Sequence, residues 1–200
     1  MDAIDTADTA SPVTPPQPPI TERSGNLGFL SIVQDPSGVL GGYLVTNGWG
    51  RPLEFRISSA IQPNRVQQIL YGPTLTEYLY ADLIGKALVE KSSTPIGMVI
   101  VDQLATLPLR QRIDAPVVGL CPESIQVHDP DAERPPEYLS LKHPRSPLPL
   151  RWLASQASDQ PVIEAVLAKV DPSVDLSEPF TRIREAIGEA RKLGGSHRAA

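Results

Sequence analysis

The chain predicts an α+β fold, and three observations carry the prediction. Residues 27–60 hold three strand-like runs joined by turn chemistry. Residues 74–91 hold one amphipathic helix, and "PIGMVIVD" (95–102) returns as a buried strand. The expected architecture is a mixed sheet that begins with a three-stranded antiparallel meander and is covered by that one main helix. A proline-rich arm and two C-terminal helices complete it.

The meander is read as follows. "LGFLSIVQ" is a near-continuous apolar run, as expected of a strand covered on both faces. "DPSG" (35–38) supplies a turn: Pro36 presets φ and Gly38 accepts a left-handed conformation. "VLGGYLVT" (39–46) is the second strand, and its adjacent Gly41 and Gly42 point to a bulge or a close backbone approach. Asn47-Gly48 is a hairpin signal. "PLEFRISSA" (52–60) then alternates, with Leu53, Phe55 and Ile57 on one side and Glu54, Arg56 and Ser58 on the other.

"QPNRVQQILYG" (62–72) reads as a short helical segment with Val66, Ile69 and Leu70 on its apolar side and Gly72 as its stop. In "TLTEYLYADLIGKALVEKSS", Thr74 and Glu77 fit a capping box, and Leu75, Leu79 and Leu83 recur every four residues. "APVVGL" (115–120) is a further strand candidate, preceded by the alternating "LPLRQRI". Prolines then return over 122–150, an arm or linker. Beyond it, "QPVIEAVLAKV" and "PFTRIREAIGEARKL" carry apolar stripes, the second preceded by the capping pair Asp175 and Glu178. The expected units are a proline-rich disordered tail (1–25), an α+β core (26–121), the arm (122–150), a C-terminal helical segment (151–195) and a tail (196–200).

Composition narrows the function classes. The net charge is −5, and residues 26–121 hold seven acidic and seven basic side chains. That balance argues against a nucleic-acid partner, which a basic excess would announce. Cys121 is the only cysteine, so no intrachain disulfide can form. The N-terminus shows neither the basic nor the apolar region of a signal peptide, and no apolar run approaches the ~20 residues that cross a bilayer. A cytoplasmic protein away from the membrane is expected. Residues 1–25 hold five prolines and few large apolar side chains, too few to offset an ordering cost of roughly 1–2 kcal/mol per residue.

Familiar catalytic motifs are missing. There is no G-x-S-x-G, no G-x-x-x-x-G-K-[ST] and no G-x-G-x-x-G. His128, His143 and His197 lie in proline-rich or tail segments and, with Cys121, match no usual zinc spacing. Cys121 follows an apolar strand and reads as a small buried hydrophobe. No cofactor is expected. The candidate binding set is instead polar and aromatic: Trp49 and Arg51 at the hairpin tip, Arg56 on the third strand, and Asn64, Arg65 and Tyr71 in the segment that follows. Exposed Trp and Arg are the residue types favoured at binding hot spots. At a hairpin tip, Trp49 either folds back over Pro52 and its neighbours or meets a partner.

Two resemblances extend this reading. The order β-β-β-α-β over roughly 75 residues (27–102) resembles that of ribonuclease H-like proteins. That resemblance implies carboxylates converging on divalent cations, for which Asp35, Asp82 and Asp102 are the candidates. The first aspartate of that arrangement sits inside the first strand, where this chain has Ser31 or its neighbours, and Asp35 instead takes a turn-initiating position. Separately, "GGYLVTN", "GRPLEFR" and "QPNRVQQILYG" resemble a group of uncharacterised bacterial proteins over residues 27–120. This second resemblance implies a bacterial cytoplasmic protein and carries no mechanism. The leading expectation is a non-catalytic interaction or adaptor protein that binds an unidentified protein partner through the hairpin tip and residues 62–71. The alternative is a metal-dependent nuclease of ribonuclease H-like type.

Overall fold

A computed structural model describes residues 24–121 and 137–196. The tail expected at 1–25 lies outside them but for its last two residues, as do His128 and His197. Seven strands form one mixed sheet: β1 (Leu27–Asp35), β2 (Gly38–Thr46), β3 (Pro52–Ile57), β4 (Met98–Val101), β5 (Val117–Gly119), β6 (Tyr138–Leu141) and β7 (Leu150–Leu153). Their order is β3-β2-β1-β4-β5-β7-β6. β1, β2 and β3 pair antiparallel as the expected meander, while β4 and β5 run parallel to β1. The fold is α+β.

Among the described residues four helices accompany the sheet: α1 (Arg65–Tyr71), α2 (75–90), α3 (Gln160–Leu167) and α4 (Glu178–Ser196). α2 passes from an α-helical turn through a wider π-helical stretch, Tyr78–Gly85, to an α-helical end, Lys86–Glu90. The period-2 pleat of the strands sorts their side chains to two sides. On one side Phe29, Leu44 and Ile100 meet Ile163 and Leu167 of α3 and Phe180, Ile183 and Ile187 of α4. On the other, Leu30, Tyr43 and Val99 meet Leu79, Ile84 and Leu88 of α2 and the 3₁₀ segment Leu104–Gln111. Both C-terminal helices are therefore spent on the protein's own core.

The two consecutive glycines of β2 are explained by this sandwich. Side chains at 41 and 42 face opposite layers. A β-carbon at Gly41 would collide with Ile84 of α2, and one at Gly42 would lie 2.5 Å from Ile183 Cγ2 of α4. Each glycine is a seat for a helix isoleucine, so the expected close approach is present; the bulge in this ladder falls instead at Val45/Thr46.

Four local readings resolve differently. The hairpin tip is a wider turn in which Gly50 carries the positive φ (74°), and Gly48 does not. Asn47 works through its side chain, accepting from the N–H groups of Trp49 and Arg51 at 3.0 Å each. Gly48 makes room for the backbone of Lys169, whose carbonyl oxygen would lie 2.8 Å from a β-carbon there. The capping box expected at Thr74 and Glu77 is replaced by one at Asn64 and Gln67, at the start of α1. The chain enters α2 already helical through Gly72–Thr74, so no bare first turn needs a cap, and the Thr74 hydroxyl donates to Tyr71 O at 2.8 Å. Within the arm expected at 122–150, residues 138–141 form β6 and Leu150 opens β7, both in the same sheet as the meander. The "LPLRQRI" run belongs largely to the 3₁₀ segment rather than to a strand.

Candidate functional site

The expected binding residues occupy three places. Trp49 stands at the hairpin tip, 71% exposed. It does not fold back, because the tip is already fixed by Asn47, by Gly48 against Lys169 and by the Asp171 N–H, which donates to Gly48 O at 2.8 Å. Arg51 is exposed beside it. Arg56 lies on β3 and pairs with Glu54. Asn64, Arg65 and Tyr71 belong to α1, beyond the opposite end of β3. The two halves of the set are thus separated by the whole strand, about 20 Å at roughly 3.3 Å per residue.

Several of these polar groups are committed to structure. Asn64 accepts from the Gln67 N–H, and the Gln67 side chain accepts from the Asn64 N–H, each at 2.9 Å. Gln68 donates to Pro63 O at 3.1 Å. Tyr71 stacks on Tyr78 with ring centroids 4.2 Å apart. Asn64 therefore serves as the cap of α1. The signal for this was present in the sequence, since Asn and Gln three apart is a capping pattern.

What the sequence reading missed lies on the same helix. α1 buries none of its seven residues. Val66, Ile69 and Leu70, spaced i, i+3 and i+4, turn to solvent with exposures of 63%, 66% and 77%. Their spacing marks an apolar stripe but is silent on which way the stripe points. β3 adds Leu53, Phe55 and Ile57, all exposed. Phe55 stands opposite Leu44 and Ile57 opposite Gly42, so both share the face of α3 and α4, while Leu53 is the extra residue of the bulge; α4 packs on β1 and β2.

The sheet also has a crevice at the carboxyl ends of its parallel strands, where α/β folds commonly place ligands. A cavity of about 510 Å³ is lined there by Ile32, Asp102, Gln103, Leu120, Ser177 and Arg184 among others. Asp102 follows β4 directly. Its carboxylate accepts from the Ser31 hydroxyl, from the Ile32 N–H at 3.3 Å and from Arg184 at 2.9 Å. Burial pushes its proton affinity up, and those three donors only partly offset it. Cys121 lies at the end of β5, and burial holds its thiol up at about 12, with Asp102 adding to the effect. Chemically, Asp102 is a latch that ties α4 to two strands; the Ser31 hydroxyl is engaged as a donor to it.

The three carboxylates of the nuclease reading do not converge. Asp102 faces α4. Asp35 pairs with Arg191, farther along the same helix. Asp82 sits on α2, in the opposite layer, and pairs with Arg112. Among the described residues, no three His, Cys, Asp or Glu side chains are placed to hold one metal ion. Ser31 of β1 is hydrogen-bonded to its neighbour Asp102. His143, half-buried, accepts from the Arg145 N–H at 3.4 Å; burial and the Arg145 charge lower its proton affinity. Among the described residues, no helix is long and apolar enough to cross a membrane.

Neither a protein-family model nor a curated protein matches the chain.

Proposed function

We propose that this protein is a non-catalytic interaction or adaptor module whose protein partner docks on α1 and residues 62–71, with the Trp49 hairpin tip extending the contact. One observation carries the reading: a complete helix, capped at its start by Asn64 and Gln67, buries no residue and presents Val66, Ile69 and Leu70 to water. Each large aliphatic side chain left exposed forgoes roughly 1.5–3 kcal/mol of transfer free energy. A stripe at i, i+3 and i+4 is the pattern by which helices anchor in a partner's groove. Arg65, on the same helix, and the exposed Trp49 supply residue types that dominate binding hot spots.

A reducing, cytoplasmic setting belongs to this reading and is supported by a lone buried thiol, Cys121. Bacterial origin rests on the resemblance of residues 27–120.

The test is quantitative affinity capture with the wild-type chain, an Ile69→Asp, Leu70→Asp variant and a Trp49→Ala, Arg65→Ala variant, each checked for native circular dichroism. Proteins held by the wild type are expected to fall at least tenfold with the α1 variant. Equal recovery of every protein by all three chains would remove α1 and the tip from any interface.

A further inference from the structure

β3 is the outermost strand of its side of the sheet, and among the described residues no strand pairs with its far edge. The Ser58 N–H donates to Gly41 O at 2.9 Å, and Ile57 stands opposite Gly42. Backbone direction alternates along an antiparallel ladder, so Glu54 and Arg56 aim their N–H and C=O groups at β2. Phe55 and Ile57 aim theirs outward. The bulge lies at the tip end of the strand, where Val45 faces Glu54 and Thr46 faces Pro52, so that Leu53 is the extra residue; it leaves 54–57 regular.

The side chains of this edge are complementary to their own reverse. Counted outward from Phe55, Glu54 mirrors Arg56. Glu54 and Arg56 share one face, where they already pair within the chain through one carboxylate oxygen, the other accepting from Ser92, Ser93 and Thr94. Leu53, Phe55 and Ile57 are 48%, 38% and 36% exposed. An edge with outward backbone groups and apolar side chains is a template for another strand.

We propose that β3 pairs antiparallel with β3 of a second copy, about a two-fold axis at Phe55. Phe55 then faces its counterpart, and Glu54 lies across from Arg56 on both sides of the axis. The four charges alternate in sign. Moving the axis to residue 54 sets glutamate against glutamate, and moving it to residue 56 sets arginine against arginine; like charges directly opposite are destabilising. Shifting the register by one residue would put apolar side chains against the charged face. The charge pattern therefore selects one register and one partner, a copy of this chain. The surface is separate from α1, so partner capture and self-association can fail independently.

The 200-residue chain at micromolar concentration is measured by light scattering after size exclusion. The expected mass is twice 21.6 kDa. Arg56→Glu, which sets Glu54 against a glutamate, is expected to weaken the dimer at least tenfold while circular dichroism stays native. Register is read by cross-linking under mild oxidation. Residues facing across a hydrogen-bonded antiparallel pair have α-carbons about 5.5 Å apart, within disulfide range. Residue 57 of one copy lies about 14 Å from residue 57 of the other. Phe55→Cys should cross-link and Ile57→Cys should not, and Cys121 is buried and does not compete. A monomeric mass up to about 100 μM, or a dimer in which Ile57→Cys cross-links and Phe55→Cys does not, overturns the proposal.

Discussion

Gly42 of β2 and Ile183 of α4 meet so closely that a β-carbon on the glycine would stand 2.5 Å from Ile183 Cγ2. Isoleucine is stiff at χ1 and cannot swing this methyl away cheaply. Ile187 Cδ1, 2.9 Å from the same position, blocks the other side. Gly42→Ala is therefore expected to destabilise the fold by about 1–3 kcal/mol through overpacking. Chemical denaturation should show a lower midpoint at an unchanged m-value. The double variant Gly42→Ala, Ile183→Val leaves the Cγ2 methyl in place and should recover little.

How far this arrangement was legible in the sequence depends on the element. Strand alternation at 52–60 and the turn residues at 35–38 were enough for the meander, because both are local. Gly41 and Gly42 signalled close approach but not the two helices, since Ile84 and Ile183 are far away along the chain. Asn47-Gly48 marked a hairpin, while the residue with the left-handed backbone, Gly50, was decided by the docking of Gly48 against Lys169. Strands β6 and β7 were hidden because each is four residues long and lies among prolines. The α1 stripe was visible as a stripe, yet periodicity does not tell a face turned to the core from one turned to solvent. The latch at Asp102 joins residues 71 apart, beyond any local signal.

Arg110 and Asp159 form a bidentate pair, with Arg110 Nε donating to one carboxylate oxygen at 2.6 Å and a terminal nitrogen to the other at 3.1 Å. The pair fastens the 3₁₀ segment after β4 to the start of α3, and Asp159 is buried. Removing one partner strands a charge. Asp159→Ala is expected to cost about 3 kcal/mol, the low end for breaking a buried pair, given that Arg110 is partly solvated. The double variant Arg110→Met, Asp159→Leu should be markedly more stable than Asp159→Ala. A double-mutant cycle by urea denaturation measures the coupling, and additive losses would count against it.

The Cys121 thiol is buried, and desolvation holds its proton affinity at about 12. Thiolate is the reactive form. In the native protein at pH 8, a thiol-specific reagent should therefore react with Cys121 far more slowly than with a free thiol. In denaturant the reaction should be fast and account for one thiol per chain. A native rate equal to the unfolded rate would show that the end of β5 opens to solvent.

Glu54 and Asp102 are expected to respond to acid in opposite senses. Burial works against the charge of Glu54, but hydrogen bonds from Arg56, Thr94 and Ser92 outweigh it and hold the carboxyl down at about 2, below the ordinary 4.5. A depressed folded-state value means stability that is present above about pH 4.5 and is lost as the pH falls towards 2. Glu54→Gln removes this contribution, so its deficit against wild type should be largest at pH 7 and shrink in acid. For Asp102 burial dominates and moves the folded-state value up from 3.8. Its ionised form is the disfavoured one, and the folded chain binds a proton more readily than the unfolded chain. Asp102→Asn abolishes that cost while keeping the side chain's shape, so its stability relative to wild type should improve as the pH rises from 3 to 7. Asp102→Ala should lose at every pH, because the Ser31 hydroxyl and Arg184 lose their acceptor. Urea denaturation of the three variants and wild type between pH 3 and 7 checks both slopes; two slopes of the same sign would refute the assignment of burial as the governing influence on Asp102.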